Sequence, residues 1–201
     1  MEELVKIFGK YFPKEFYNFE FREKEIYLKD EEISLNFEEN KINIIKIKSD
    51  GKSKVTLNIP RNKTFLIYIP IKLSENSNLA MNISGEISNE VYLAIDINGS
   101  KHSEMKIIEK TLVFGKYTNI LKLFVPKGSK NLNVELNQYF LIFGDGKIVN
   151  LPILKIEEKN CVVKHSSKKI KLTEDQIFYL ESKNISKEKI INLLEKSFLK
   201  T

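Results

Sequence analysis

With 201 residues, 42% of them hydrophobic, 30% charged and only eight glycine, the chain has enough apolar material to fill one domain, which excludes a disordered or collagen-like polymer. Its net charge of +6 comes from 33 Lys and Arg against 27 Asp and Glu, with no arginine or aromatic cluster; lysines on wet strand faces account for it, and no nucleic-acid surface is expected. One cysteine excludes an internal disulfide framework, the start MEELVKIFGKYF lacks the apolar core of a signal peptide, and no segment approaches the ~20 apolar residues of a membrane span, so a cytoplasmic chain without membrane attachment is expected.

In chain order, residues 1–24 open with Leu4, Ile7, Phe8 and Phe12 at helical spacing before Pro13, which predicts a short amphipathic helix or tether. From 25 to 172 follow short alternating runs: EIYLKD, ISLNF, KINIIKIK, KVTLNI, TFLIYIPIKL, LAMNISG, VYLAIDING, MKIIEKTLVF, ILKLFV, LNVEL, YFLIF, ILKIE, VVKH and KIKL. The breaks between them are polar clusters such as Ser49-Asp50-Gly51, Asn98-Gly99-Ser100 and Gly144-Asp145-Gly146. No helical pattern intervenes, so a doubly wound α/β fold is not expected. Periodicity leaves two architectures open, an antiparallel sandwich or a solenoid of stacked strands.

The period changes at Thr173. Thr173-Glu174-Asp175-Gln176 has the order of a capping box, predicting a helix to about Lys183 that stops at Asn184, a residue tolerant of the left-handed conformation. Ser186 then caps a second helix whose Ile190, Ile191, Leu193, Leu194 and Phe198 form an apolar stripe. Residues 173–201 therefore form a C-terminal helical subdomain.

Residues able to carry chemistry are few: two histidines and one cysteine, short of the ligand set of a structural zinc site or a cluster. Cys161 and His165 share a strand face but lie ~13 Å apart along it, too far for one metal on a straight strand. Cys161 reads as a small buried apolar residue and His102, in GSKHSE, as solvated. Gly144-Asp145-Gly146 is a turn without the continuation of a phosphate loop. The acidic runs Asp30-Glu31-Glu32 and Glu157-Glu158 are solvated turns, and Ser166 and Ser167 point to opposite faces with no orienting acid. No enzyme signature remains, so a non-catalytic protein is expected.

The run HSSKKIKLTEDQIFYL, His165 to Leu180, followed by ESKNISKEKIINLLEKSF, resembles the C-terminal signature of the SufB/SufD proteins of iron–sulfur cluster assembly, where a histidine precedes E-x-Q-x-F-Y-L, S-R-G-I-S and a helix ending G-F. Upstream, YFLIFGDGKIVNLPILKI resembles a family rung with Asp145 and Pro152 in register, and LVFGKYTNILKLFVPKG another, so the likeness spans residues 112–199. In SufB a cysteine precedes the signature proline and a glutamate follows the histidine. Here those places hold Asp145-Gly146-Lys147-Ile148 and Ser166, closer to the SufD pattern.

The resemblance implies a right-handed parallel β-helix carrying the two helices at one end. It further implies a scaffold subunit that assembles or transfers a cluster. His165 is either the candidate ligand of a transient iron–sulfur cluster shared with a partner subunit or a hydrogen-bonded residue fixing the strand-to-helix corner, and this chain alone would hold no cluster stably. Phe178, Tyr179, Leu180, Ile190, Leu194 and Phe198 are the candidate dock for a SufC-like ABC ATPase, only part of them free because some must pack on the β-helix end, and exposed edge strands would pair this chain with itself or with another SufB/SufD-type subunit. Two alternatives are a regulatory or structural paralogue without cluster chemistry and a β-sandwich ligand-binding module, against which the absence of tryptophan counts.

Overall fold

The alternating runs stack into a solenoid. A computed structural model describes residues 1–39 and 41–200; strands make up 57% of the chain and coil through about five turns. One sheet is built from β1 (Glu20–Lys29), β3 (Lys41–Asp50), β5 (Phe65–Leu73), β7 (Glu90–Asn98), β9 (Lys116–Val125) and β11 (Lys147–Ile156), in that order and all parallel. The facing sheet orders β2 (Glu32–Leu35), β4 (Lys52–Ile59), β6 (Asn78–Ile87), β8 (Glu104–Val113), β10 (Leu132–Ile142) and β12 (Cys161–Lys171), again all parallel. Each turn contributes one strand to each sheet. The sandwich of antiparallel hairpins is thereby excluded.

Side chains a turn apart stack. The inner column Phe65, Val91, Tyr117, Ile148 runs up one sheet and Val55, Met81, Ile107, Leu136, His165 up the other. Leu57, Ile67, Leu79, Leu93, Leu123 and Val134 are among the fully buried residues between them. Hydrogen-bonded neighbours one turn apart are 22 residues apart near the start, 26 in the middle and 29 towards the end, so no fixed repeat stands out in the sequence. Outward lysines meet acids on the adjacent turn: Lys46 pairs with Glu23, Lys48 with Glu25 at 2.6 Å and Lys122 with Asp96 at 2.9 Å. Exposed pairs of this kind contribute little each.

The N-terminal segment is no loose tether. Helix α1 (Glu2–Phe8) and two short 3-10 turns, Gly9–Tyr11 and Lys14–Asn18, bury Leu4, Phe8 and Phe16 on the outward Ile42, Leu66, Tyr68, Ala94 and Ile120 of the first sheet. The first strand starts at Glu20, inside the segment assigned to the tether, because its early residues alternate charge with little apolar content and carry no period-two signal.

At the other end, α2 (Glu174–Ser182) begins with the expected capping box, Gln176 N to Thr173 Oγ1 at 3.3 Å and Thr173 N to Gln176 Oε1 at 3.1 Å, and Asn184 takes φ 64°. Helix α3 (Lys187–Lys200) lies on the outer surface of the second sheet: Ile191, Leu194 and Phe198 pack with Leu112, Phe114, Leu141, Phe143 and Leu172. The helices thus flank the last turns and leave the free edges of β11 and β12 uncovered, where Ile153, Leu154, Ile156 and Val162 are exposed. Pro152 fits there because the outer side of an edge strand needs no donor. Thr201, the last residue of the expected helical subdomain, lies outside the described residues.

Candidate functional site

Most inward positions of the first turns are apolar, with buried Asn43, Ser49 and Ser53 towards strand ends among the exceptions; in the last three turns polar side chains enter the middle of the interior. The column Leu57, Ile83, Glu109, Gln138, Ser167 climbs β4, β6, β8, β10 and β12, and across from it Ile67, Leu93, Asn119, Asn150 climbs β5, β7, β9 and β11. Both columns switch from apolar to polar as they approach the open end.

Glu109 is the anchor. Fully buried, it accepts from Tyr117 Oη at 2.6 Å on one carboxylate oxygen and, on the other, from Asn119 Nδ2 at 2.6 Å and Gln138 Nε2 at 2.8 Å; Thr111 Oγ1 adds a weaker contact at 3.4 Å. Burial raises its pKa above the usual carboxylate range while these donors pull the other way, and burial beside the carboxylate pushes the Tyr117 phenol well up. Buried acids are tolerated only when satisfied in this way.

The network continues outward. Gln138 Oε1 accepts from Asn150 Nδ2 at 3.1 Å and faces His165 Nε2 at 3.0 Å, and Asn150 Nδ2 also reaches Ser167 Oγ at 3.1 Å. Asn119 Oδ1 and Asn150 Oδ1 are buried acceptors with no donor among the described residues. His165 itself is half-buried, its pKa lowered by burial, so the neutral ring is favoured.

Cys161 and His165 both face inward on β12, in register with Leu132 and Leu136. Half-buried Cys161 donates to Glu158 O at 3.3 Å and packs on the core, and burial pushes its thiol up. Exposed His102 sits in its turn at φ 53° with Nδ1 3.2 Å from Asn131 Nδ2. Ser166 bonds Asn137 on the outer face while Ser167 joins the interior network, so the two serines do diverge.

The six dock residues separate into two groups. Phe178 and Tyr179 are 72% and 61% exposed on α2, whereas Ile190 is buried and Leu194 and Phe198 hold α3 to the sheet; Leu180 is intermediate. Leu193, 54% exposed, extends the free apolar surface from α3.

The polar column was not among the sequence candidates. Its signal was present: Met105, Ile107, Glu109, Thr111 and Val113 share one parity of the alternation, which places a carboxylate on the face its neighbours bury.

The family model for the core domain of SufB and SufD, of the SUF system of iron–sulfur cluster assembly, matches residues 81–198. The chain belongs to the SufBD family. The match begins in β6 and runs through α3, so this SufBD core takes in the whole polar column and both helices, and it extends 31 residues upstream of the resemblance legible at Leu112. No curated protein matches the chain. The SufBD domain gives the chain a role in SUF iron–sulfur cluster assembly. No helix among the described residues is long and apolar enough to cross a membrane.

Proposed function

We propose that this chain is a non-catalytic scaffold subunit of a SUF-type assembly complex. It binds a SufC-like ATPase through its C-terminal helices and helps assemble or transfer an iron–sulfur cluster in which His165 is one ligand. The observation that carries this reading is the placement of His165: on the final strand, half-buried, tied inward by Nε2 alone, with Nδ1 free of any partner among the described residues. A cluster needs several thiolate or imidazole ligands, and among the described residues no three His, Cys, Asp or Glu side chains converge. The remaining ligands have to come from another SufB/SufD-type subunit, and the uncovered edges of β11 and β12, with Ile153, Ile156 and Val162 exposed, suit such a neighbour. Phe178 and Tyr179 offer the ATPase rigid aromatic anchors. ATP hydrolysis would belong to the partner.

The test is anaerobic reconstitution with iron and sulfide of the complex formed with that partner subunit, comparing wild type with His165→Ala. The reading requires the cluster absorbance to fall in the variant; identical spectra would remove His165 from the ligand set and favour the paralogue without cluster chemistry.

A further inference from the structure

Glu109 Oε2 accepts from two amide nitrogens, Asn119 Nδ2 at 2.6 Å and Gln138 Nε2 at 2.8 Å, and can do so in either charge state of the acid. Gln138 has one donor end and one acceptor end. With Glu109 Oε2 2.8 Å from its Nε2, the amide is oriented and Oε1 points the other way, at Asn150 Nδ2 and His165 Nε2. Asn150 Nδ2 donates to the same Gln138 Oε1 at 3.1 Å and also reaches Ser167 Oγ at 3.1 Å. His165 Nε2 therefore meets an acceptor at 3.0 Å and must carry the proton.

We infer that Gln138, oriented by the buried carboxylate of Glu109, is a positioning residue for His165: it fixes the ring as the Nε2–H tautomer and leaves Nδ1 as the unprotonated nitrogen able to bind a metal. A polar group three turns deep in the solenoid axis thus selects which ring nitrogen is presented by the last strand. Partners of this kind, on the far nitrogen of a ligating histidine, set ring orientation and basicity. Burying Glu109, which costs stability, then has a use at the open end. That use rests on His165 being a cluster ligand, whereas the tautomer itself does not.

The chain has two histidines, so long-range proton–nitrogen correlation spectra of the uniformly 15N-labelled apo protein at neutral pH resolve both rings, with His165→Ala supplying the assignment. The expected result is one tautomer at His165, protonated at Nε2. Gln138→Met keeps the side-chain length but removes the acceptor, and its spectrum should show both tautomers exchanging. Glu109→Gln, which frees the Gln138 amide to turn over, should do the same if Gln138→Met does not fold. A protonated Nδ1 in wild type, or an unchanged single Nε2–H tautomer in both folded variants, overturns the inference. Loss of the single tautomer in the variants, together with cluster absorbance unaffected by His165→Ala, would uphold the relay while rejecting His165 as a ligand.

Discussion

Replacing Glu109 with alanine tests whether the polar interior holds the last turns together. The substitution strands three buried donors, Tyr117 Oη, Asn119 Nδ2 and Gln138 Nε2, each within 2.8 Å of the carboxylate. An unsatisfied buried donor costs about 1–3 kcal/mol, so the three together cost about 3 kcal/mol at the low end. Relief from burying a charge offsets part of this, but the cavity left by the side chain adds to it. At about 2–4 °C per kcal/mol for a chain of this size, the melting temperature should fall by about 6–12 °C. The assay is thermal unfolding followed by circular dichroism at neutral pH. Glu104→Ala is the control: it lies on the same strand, β8, but on the exposed outer face, and should shift stability by less than about 0.5 kcal/mol. A fall of under 2 °C for Glu109→Ala, or one no larger than the control's, would refute the claim that the carboxylate organises the network.

Three further outcomes follow from the geometry. Because burial raises the Glu109 pKa above 4.5, the folded chain holds this proton to higher pH than the unfolded one; that stabilisation is full below about pH 4.5 and is lost as pH rises through the folded value. The melting temperature of Glu109→Gln relative to wild type should therefore climb across that window and level off above it, and a difference flat from acid to neutral pH would contradict the assignment. Gly115→Ala would place a Cβ 2.1 Å from Asn89 O, forcing adjacent turns apart at a corner, and should cost about 1–3 kcal/mol by urea unfolding; a neutral effect would show that the corner yields freely. Thr173→Ala removes the capping box of α2 and about 1 kcal/mol with it, so hydrogen exchange should quicken about 5-fold in α2 and stay unchanged in the core strands; equal rates in the variant and wild type would mean the cap does not limit fraying.

Much of the solenoid could be read from alternation, and the places where that reading faltered share one cause. LNVEL and YFLIF are a single strand, β10, interrupted to the eye by Asn137-Gln138; VVKH and KIKL are likewise one strand, β12, divided at Ser166-Ser167. The starts of β9 and β11 were missed at Tyr117-Thr118-Asn119 and at Asn150. Gln138, Ser167, Tyr117, Asn119 and Asn150 are members of the interior network, so polarity that looked like a loop was a polar core, and only tertiary hydrogen bonds could tell the two apart. The C-terminal helices were plain because their caps are local: Thr173 and Gln176 need only each other. The dock was less so: the resemblance groups Phe178 and Tyr179 with Leu194 and Phe198, and although part of the set is expected to pack on the solenoid, only the tertiary contacts show that the sheet takes the α3 residues and leaves the α2 aromatics free. The N-terminal segment was obscure for the same reason, its apolar residues having partners only on a sheet formed from later sequence.

The most direct test of the chain as a working SUF subunit is capture of a SufC-like ATPase on co-expression, comparing wild type with the double variant Phe178→Ala, Tyr179→Ala. Both aromatics are exposed, so the double variant should melt with wild type, and if each contributes about 2 kcal/mol as an interface anchor the captured ATPase should fall below a tenth of the wild-type amount. Undiminished capture by a folded double variant, or no capture by wild type, would contradict the account.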